Sequence, residues 1–390
     1  MILENARIDD IELYEVKIPL KIPFQISGGV SYFRKSLIIV LHSGEYVGYG
    51  EAAPFEEPYY SSETISSVKM LYLELLFKRI LGEEINSIEH INDILSKGVR
   101  GNNFAKAGME NAYWDLLCDI NKISLKELIT YKLKQLEVNE EYINNEDYIE
   151  SGVSVGIPID NSIDTLKQWV KEYIEEGYKR IKIKIKPGWD INALKAVREV
   201  IGDFPLWTDS NSSFNFEKHK DMFKAMDEYN CLFHEQPLNH DDILDHAKLA
   251  RYIKTPICLD ESLKSSIIGA QALEIEASRI WNVKIQRIGG LLEGLKIYKL
   301  ATNNNVKLWG GTMPESGIGA IPIMNLSSFK GFCYPADVEA SERWYGKNQD
   351  IVEINMNKQG QIYLPKCNGI QEIINWNNFK NFTTRIYSSK

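Results

Sequence analysis

Five ionisable residues, Lys184, Asp209, Glu235, Asp260 and Lys284, follow one another at intervals of 25, 26, 25 and 24 residues. Three carboxylates brought together repel unless a cation joins them. All-oxygen ligation suits a hard divalent ion, Mg²⁺, with Mn²⁺ as the alternative. Amines before and after the three acids would flank such an ion. That arrangement suits abstraction of a proton α to a carboxylate: the ion neutralises the developing enediolate, and a base on either face removes or returns the proton. Lys182 precedes Lys184 by two residues and shares its strand face. Two ammonium groups this close should depress each other's pKa, which makes a lysine a usable base.

Strand ends recurring at this beat are what a repeated βα unit produces, since strand, helix and two loops take roughly two dozen residues. The five residues close short apolar or alternating runs, Ile181–Ile185, Pro205–Asp209, Cys231–Glu235, Pro256–Asp260 and Trp281–Ile285. Gly152–Gly156 reads as a first strand with Ile163–Glu176 as its helix, Lys307–Gly310 as a seventh, and Cys333–Asp337 as an eighth. Eight such ends predict a (β/α)8-type barrel, whose catalytic groups sit at the C-terminal ends of the strands. A single acid at a strand end can simply cap the next helix, and Lys179–Lys186 alone would suit a basic edge strand in water. Three acids in register between two lysines favour a site.

The 390 residues exceed one ordinary domain and suit a barrel plus a smaller partner. Residues 8–20 and 35–50 have strand character, with a turn at His42–Glu45. Ser61–Ile80 has helical spacing, with Ile65, Val68, Tyr72, Leu75 and Leu76 on one face, and helices are expected at Phe104–Leu117 and Leu125–Leu133. This predicts an α+β capping domain over 1–135, a linker at Asn139–Glu150, the catalytic barrel over 150–340, and a segment 341–390 returning to the capping domain. In that segment Ile351, Val352 and Ile354 alternate.

A net charge of −9 disfavours nucleic acid or an anionic membrane as partner. Five scattered cysteines without CxxC spacing suit reduced thiols rather than zinc. No signal peptide or membrane span is expected, and the location expected is cytoplasmic. The expected partners are a small-molecule carboxylate substrate and further copies of the chain in a homo-oligomer. No Gly-x-Gly-x-x-Gly opens a helix after the first strand, so a dinucleotide site is not expected. Gly310, Gly311, Gly317 and Gly319 could form a phosphate nest, but a loop wrapping a carboxylate is preferred. His234 should face away from Glu235 as a packed residue.

Lys182-Ile-Lys184, Asp209-Ser-Asn211, Glu235-Gln-Pro237, Asp260-Glu-Ser262 and Asn282-Val-Lys284-Ile-Gln-Arg-Ile-Gly-Gly290 resemble the enolase superfamily and its muconate lactonizing enzyme subgroup. Lys184–Asp190 and Ala336–Trp344 narrow the resemblance to the o-succinylbenzoate synthase / N-acylamino acid racemase family. The resemblance spans essentially the whole chain. It implies Mg²⁺ on Asp209, Glu235 and Asp260, with Lys184 and Lys284 as the acid/base pair. It further implies dehydration of 2-succinyl-6-hydroxy-2,4-cyclohexadiene-1-carboxylate, a step of menaquinone biosynthesis, or racemisation of N-succinylamino acids. Ser154, Asn211, Met313, Glu315 and Ser316 match the barrel's substrate-holding positions. Phe24 and Phe55 fall in the capping loops Phe24–Ser31 and Phe55–Tyr60, which would close over the ligand. The chain departs from the family at Pro314 and Ala320, and in the glycines Gly28 and Gly29 of the first capping loop.

A dipeptide epimerase or cycloisomerase of the same subgroup is the second reading. The epimerase would show an Asp-x-Asp pair on strand eight, which Asp337-Val338-Glu339 only approximates. A catalytically silent metal-binding scaffold is the third, and the presence of both lysines and all three acids argues against it.

Overall fold

The computed structural model of the chain describes residues 2–26 and 29–390, the side chains of 22–26 and 29–30 excepted. Its N-terminal part is an antiparallel meander of β1 (Asp10–Ile26), β2 (Gly29–Ser43) and β3 (Tyr46–Ala52). The apolar run Leu37–Leu41 is continuous because both faces of β2 are covered. Leu37, Ile39 and Leu41 pack with the helices, and Ile38 and Val40 pack with Ile351, Val352, Ile370 and Phe379 of the C-terminal segment. The longer helices here are α1 (Ile88–Ser96), α2 (Asn103–Asn121) and α3 (Leu125–Gln135), after shorter ones at Ile65–Leu71 and Phe77–Ile80. α2 lies close against β3: a Cβ at Gly50 would stand 2.1 Å from the Gly108 carbonyl oxygen.

The stretch expected as one helix to Ile80 is interrupted by a π turn at Tyr72–Leu76. The extra residue rotates the last helical turn, so Leu76, Phe77 and Ile80 are buried and Leu75 only half so. In the segment Phe24–Ser31, expected as a loop, the described residues instead continue the pairing of β1 with β2: Phe24 pairs with Ser31 and Ile26 with Gly29.

Seven parallel strands come next in ring order: β4 (Val153–Val155), β5 (Ile181–Lys184), β6 (Leu206–Asp209), β7 (His234–Glu235), β8 (Ile257–Leu259), β9 (Ile280–Val283) and β10 (Lys307–Gly310). The expected eighth strand is not a regular one. Residues 332–337 bridge the two edges of the sheet, Cys333 and Asp337 donating to Leu308 and Gly310, and Ala336 donating to Glu150. Pro335 removes a backbone donor in the middle of this segment, which breaks a continuous ladder. The ring is closed nonetheless.

The helices outside it are α4 (Ile163–Glu176), α5 (Ile191–Ile201), α6 (Phe216–Met226), α7 (Ile243–Tyr252), α8 (Ser266–Glu274), α9 (Leu291–Asn303) and α10 (Gly317–Ser327). Part of the stretch read as a linker is a strand: Tyr148–Glu150 pairs with Gln361–Tyr363. At the C-terminus β11 (Thr383–Ser388) pairs antiparallel with β1. Residues 351–354, despite their alternation, form no strand; Ile351 and Val352 lie buried beneath the meander. No helix among the described residues is long and apolar enough to cross a membrane.

Candidate active site

Strand parity places the chemistry. Going up the barrel, a lower inward layer of Trp207, Phe233, Cys258, Ile280 and Trp309 forms an apolar plug. The Arg180 guanidinium lies 4.3 Å from the Trp207 ring and 5.4 Å from that of Trp309. Two residues further along their strands, Asp209, Glu235 and Asp260 emerge above the plug. One oxygen of each lies within 4.8 Å of the others, and all three side chains are buried.

The basic groups converge on this cluster. Lys184 Nζ, the most exposed at 29%, donates to Asp209 at 2.5 Å and to Asn211 at 2.6 Å. Lys284 Nζ donates to Asp260 at 2.8 Å from the other end, and the Arg287 guanidinium donates to the second oxygen of Asp260. Lys182 sits deeper, 3.4 Å from Asp209 and 3.5 Å from Glu235, with its shortest contact, 2.6 Å, to Asp337. Asp337 also receives Arg180 at 2.7 Å.

For Lys182 the expected depression is corrected. Burial alone would lower Lys182, but Asp337, Glu235 and Asp209 outweigh it and hold the ammonium above its ordinary value. Lys284 is likewise raised, against burial, by Tyr60, Glu261, Glu235 and Asp209. For Asp209, burial is outweighed by Lys184 and Lys182, which bring it down to about 2. Burial and the neighbouring Asp209 push Glu235 up. Three lysines and Arg287 reach the three carboxylates and serve as their counter-charge.

Backbone geometry at the strand ends is specialised. Asn211 and Gln236 adopt positive φ, 40° and 37°. Gln236 is held by its own side chain: Oε1 accepts the Asp260 and Ser262 N–H groups at 3.0 Å each, and Nε2 donates to Ser262 at 2.7 Å. The glutamine after Glu235 thereby fixes the loop that carries Asp260. Glu235 itself is oriented by Asn282 Nδ2 at 2.9 Å and Trp207 Nε1 at 3.3 Å. His234 points to the outer face, 2.7 Å from Thr208, and burial pushes it down to about 4.

The other anticipated positions are distributed around the mouth. Asn211 links Lys184 to Glu261, donating to the latter at 2.8 Å. Ser154 is half-buried on β4; its N–H donates to Glu339 and its carbonyl accepts from Arg343. Met313 is buried, and its N–H donates to Glu315 at 2.8 Å. Burial pushes Glu315 up to about 7, against that hydrogen bond. Ser316 donates its hydroxyl to Glu51 at 2.5 Å, across to the meander. Phe55 is half-buried, its ring 4.7 Å from that of Tyr59. Phe24 falls outside the residues whose side chains are described.

Five participants were not assigned a role in the site from the sequence, although Tyr60 ends the expected capping loop. Tyr60 reaches from the capping loop to within 3.5 Å of Asp260 and 3.4 Å of Lys284. Glu261 is buried with one oxygen unpartnered. Asn282 shares the inward parity of Lys284, a signal that was available; Arg287 lies beyond the strand, where parity says nothing. Gln286 fastens the barrel to the meander through Glu51 and Ala53.

Buried carboxylates converging from three neighbouring strands fit a hard divalent cation. An enolase-like barrel under a capping domain is the class that this fold and this donor set define. Residues 165–371 match the model of the enolase C-terminal domain-like family, and 9–130 that of the mandelate racemase / muconate lactonizing enzyme N-terminal domain. The chain belongs to the mandelate racemase / muconate lactonizing enzyme family, whose enzymes are metal-dependent. It is 37% identical to an N-succinylamino acid racemase of Thermus thermophilus, over 93% of this chain and 94% of that one. It is 34% identical to an o-succinylbenzoate synthase of Bacillus subtilis, over 97% of each. A solved enolase-superfamily structure from Listeria innocua superposes with a TM-score of 0.87 at 32% identity, over 98% of both chains.

Proposed function

We propose that this protein abstracts the proton α to a substrate carboxylate, acting as an o-succinylbenzoate synthase, an N-succinylamino acid racemase, or both. One observation carries the reading: Lys184 and Lys284 enter a single carboxylate cluster from opposite ends, through Asp209 and Asp260. The relatives that bear these two names cover nearly the whole chain at more than a third identity.

In this reading Asp209, Glu235 and Asp260 hold Mg²⁺, with Mn²⁺ as substitute. The ion, when bound, draws negative charge from the substrate carboxylate and acidifies the adjacent C–H. Lys184, whose Nζ is partly exposed, is the base on one face: as the neutral amine it takes the α proton, and in dehydration it passes that proton to the departing hydroxyl, which leaves as water. Lys284 faces the other side; it returns a proton there in racemisation and stands as a cation beside the enediolate in dehydration. Lys182, tied to Asp337, compensates charge from beneath. Ser154, Asn211, Met313, Glu315, Ser316, Phe24 and Phe55 surround the rest of the substrate. Residues 1–135 with 341–390 serve as cap and 150–340 as catalytic barrel. The enzyme is taken as a cytoplasmic homo-oligomer, which light scattering and cell fractionation check.

The epimerase reading loses its main support. Asp337 is taken up by Lys182 and Arg180, and Glu339 by Arg343, so neither acid is left for a peptide amine. The deciding experiment assays one preparation for dehydration of the cyclohexadiene carboxylate and for racemisation of N-succinylamino acids. Measurable kcat/KM in either supports the proposal, and their ratio assigns the role. No turnover in either with Mg²⁺ or Mn²⁺ present would overturn it.

A further inference from the structure

Arg34 stands apart from the other buried cations. It sits on β2, 6% exposed, and among the described residues it has no carboxylate within ion-pair distance. Its guanidinium is spent on four backbone carbonyls from two separate loops. Nη2 donates to Ala53 at 2.5 Å and Nη1 to Pro54 at 3.2 Å, in the segment that leaves β3. Nε donates to Pro314 at 2.7 Å and Nη2 to Met313 at 3.2 Å, in the loop after β10. Its plane also lies 5.0 Å from the Phe55 ring.

These two loops frame the mouth. The first continues through Phe55, whose ring is 6.2 Å from that of Tyr60, to the hydroxyl that meets Lys284 and Asp260. The second carries Met313 and Glu315. Inside the stretch that the bridge between Phe55 and Thr64 closes, residues 56–58 are exposed, so this part of the loop has little packing of its own. Only a planar fork with several donors satisfies carbonyls on two sides at once; a lysine has one nitrogen to offer.

We propose that Arg34 is a positioning residue that staples the Tyr60 loop to the loop after β10, and so sets how firmly the closed mouth holds the substrate's non-reacting part. This rests on the proposed function above for its kinetic readout, but not for its structural one. The test compares Arg34→Lys and Arg34→Met with the wild type, by steady-state kinetics on N-succinylamino acids and by hydrogen exchange on the Mg²⁺-loaded proteins. The expected result for Arg34→Met is a KM raised about tenfold or more, with kcat changed less than about threefold. Exchange should quicken in 53–60 and 312–316 and stay unchanged in the strands β5–β9. Arg34→Lys, which keeps the charge and loses the fork, should behave like Arg34→Met rather than restore the wild type. Unchanged exchange in both loops, a rescue by lysine, or equal exchange gains throughout the barrel would each overturn the proposal. If Arg34→Met does not fold, Arg34→Lys alone decides by the exchange of the two loops. Absence of all wild-type turnover would instead count against the proposed function, and the exchange pattern would still judge the staple.

Discussion

Replacing Gly311 with alanine should weaken metal binding without touching a metal ligand. Gly311 comes directly after β10, and its N–H donates to Val283 at 2.9 Å. A Cβ there would stand 2.2 Å from Asn282 Oδ1 and 2.8 Å from its Nδ2. No atom tolerates such an approach, so the Asn282 amide must swing away. It is fully buried, and the bond it gives up is the 2.9 Å donation to Glu235. The longer 3.3 Å contact from Trp207 would remain. A hydrogen bond to a charged group contributes about 1.5–3 kcal/mol. At about 1.4 kcal/mol per decade this is a ~10–100-fold loss of affinity, the usual scale for a group that orients a metal ligand. Calorimetric titration of Mg²⁺ into Gly311→Ala measures it directly. Asn282→Ala should lose a similar amount, and the double variant should match Asn282→Ala alone, because the clash partner is gone. Binding by Gly311→Ala within about twofold of wild type, or additive losses in the double variant, would refute this account of how Glu235 is held.

Lys184→Ala should lose activity by at least about a thousandfold while its circular dichroism stays that of the wild type, since the side chain is partly exposed at the mouth. EDTA should abolish wild-type turnover and Mg²⁺ restore it; full turnover in a metal-stripped sample would contradict the metal assignment. Glu110 supplies a pH test of the cap–barrel contact. It is buried on α2, accepts the Leu292 N–H at 2.7 Å, and burial pushes its carboxyl up to about 7. A carboxyl raised above its unfolded value of about 4.3 removes stability as pH rises through that window, because the unfolded chain ionises first. Glu110→Gln should therefore gain on the wild type in thermal midpoint between pH 5 and pH 8; a constant difference across that range would refute it.

Period and parity account for the barrel strands and the carboxylate cluster, and the motif resemblance for the family. The beat from Lys184 to Lys284 marks successive strand ends, and inward parity brings Asp209, Glu235 and Asp260 together. The helix Ile163–Glu176 and the strand Lys307–Gly310 are found at the expected bounds. The hidden part depends on tertiary contact. Tyr60 ends the capping loop that the family resemblance put over the ligand, but its contacts with Asp260 and Lys284 depend on a loop path that no local pattern encodes. Arg34 reads in the sequence as a basic residue near a strand, and only the convergence of two loops gives it work. Lys182 has the same parity as Lys184 but different chemistry, because Asp337, 155 residues away, reaches it across the closed ring. The eighth strand was misjudged for a local reason, Pro335, whose effect is visible only beside the neighbouring edges.

The central claim is that Lys184 and Lys284 serve opposite faces of one substrate. Proton NMR in D₂O, monitoring loss of the α-proton signal from each enantiomer of an N-succinylamino acid with Mg²⁺ present, tests it most directly. The wild type should exchange both enantiomers. Lys184→Ala should exchange only one and Lys284→Ala only the other, with racemisation lost in both. Exchange of the same enantiomer by both variants, or of neither enantiomer by the wild type, would contradict the assignment.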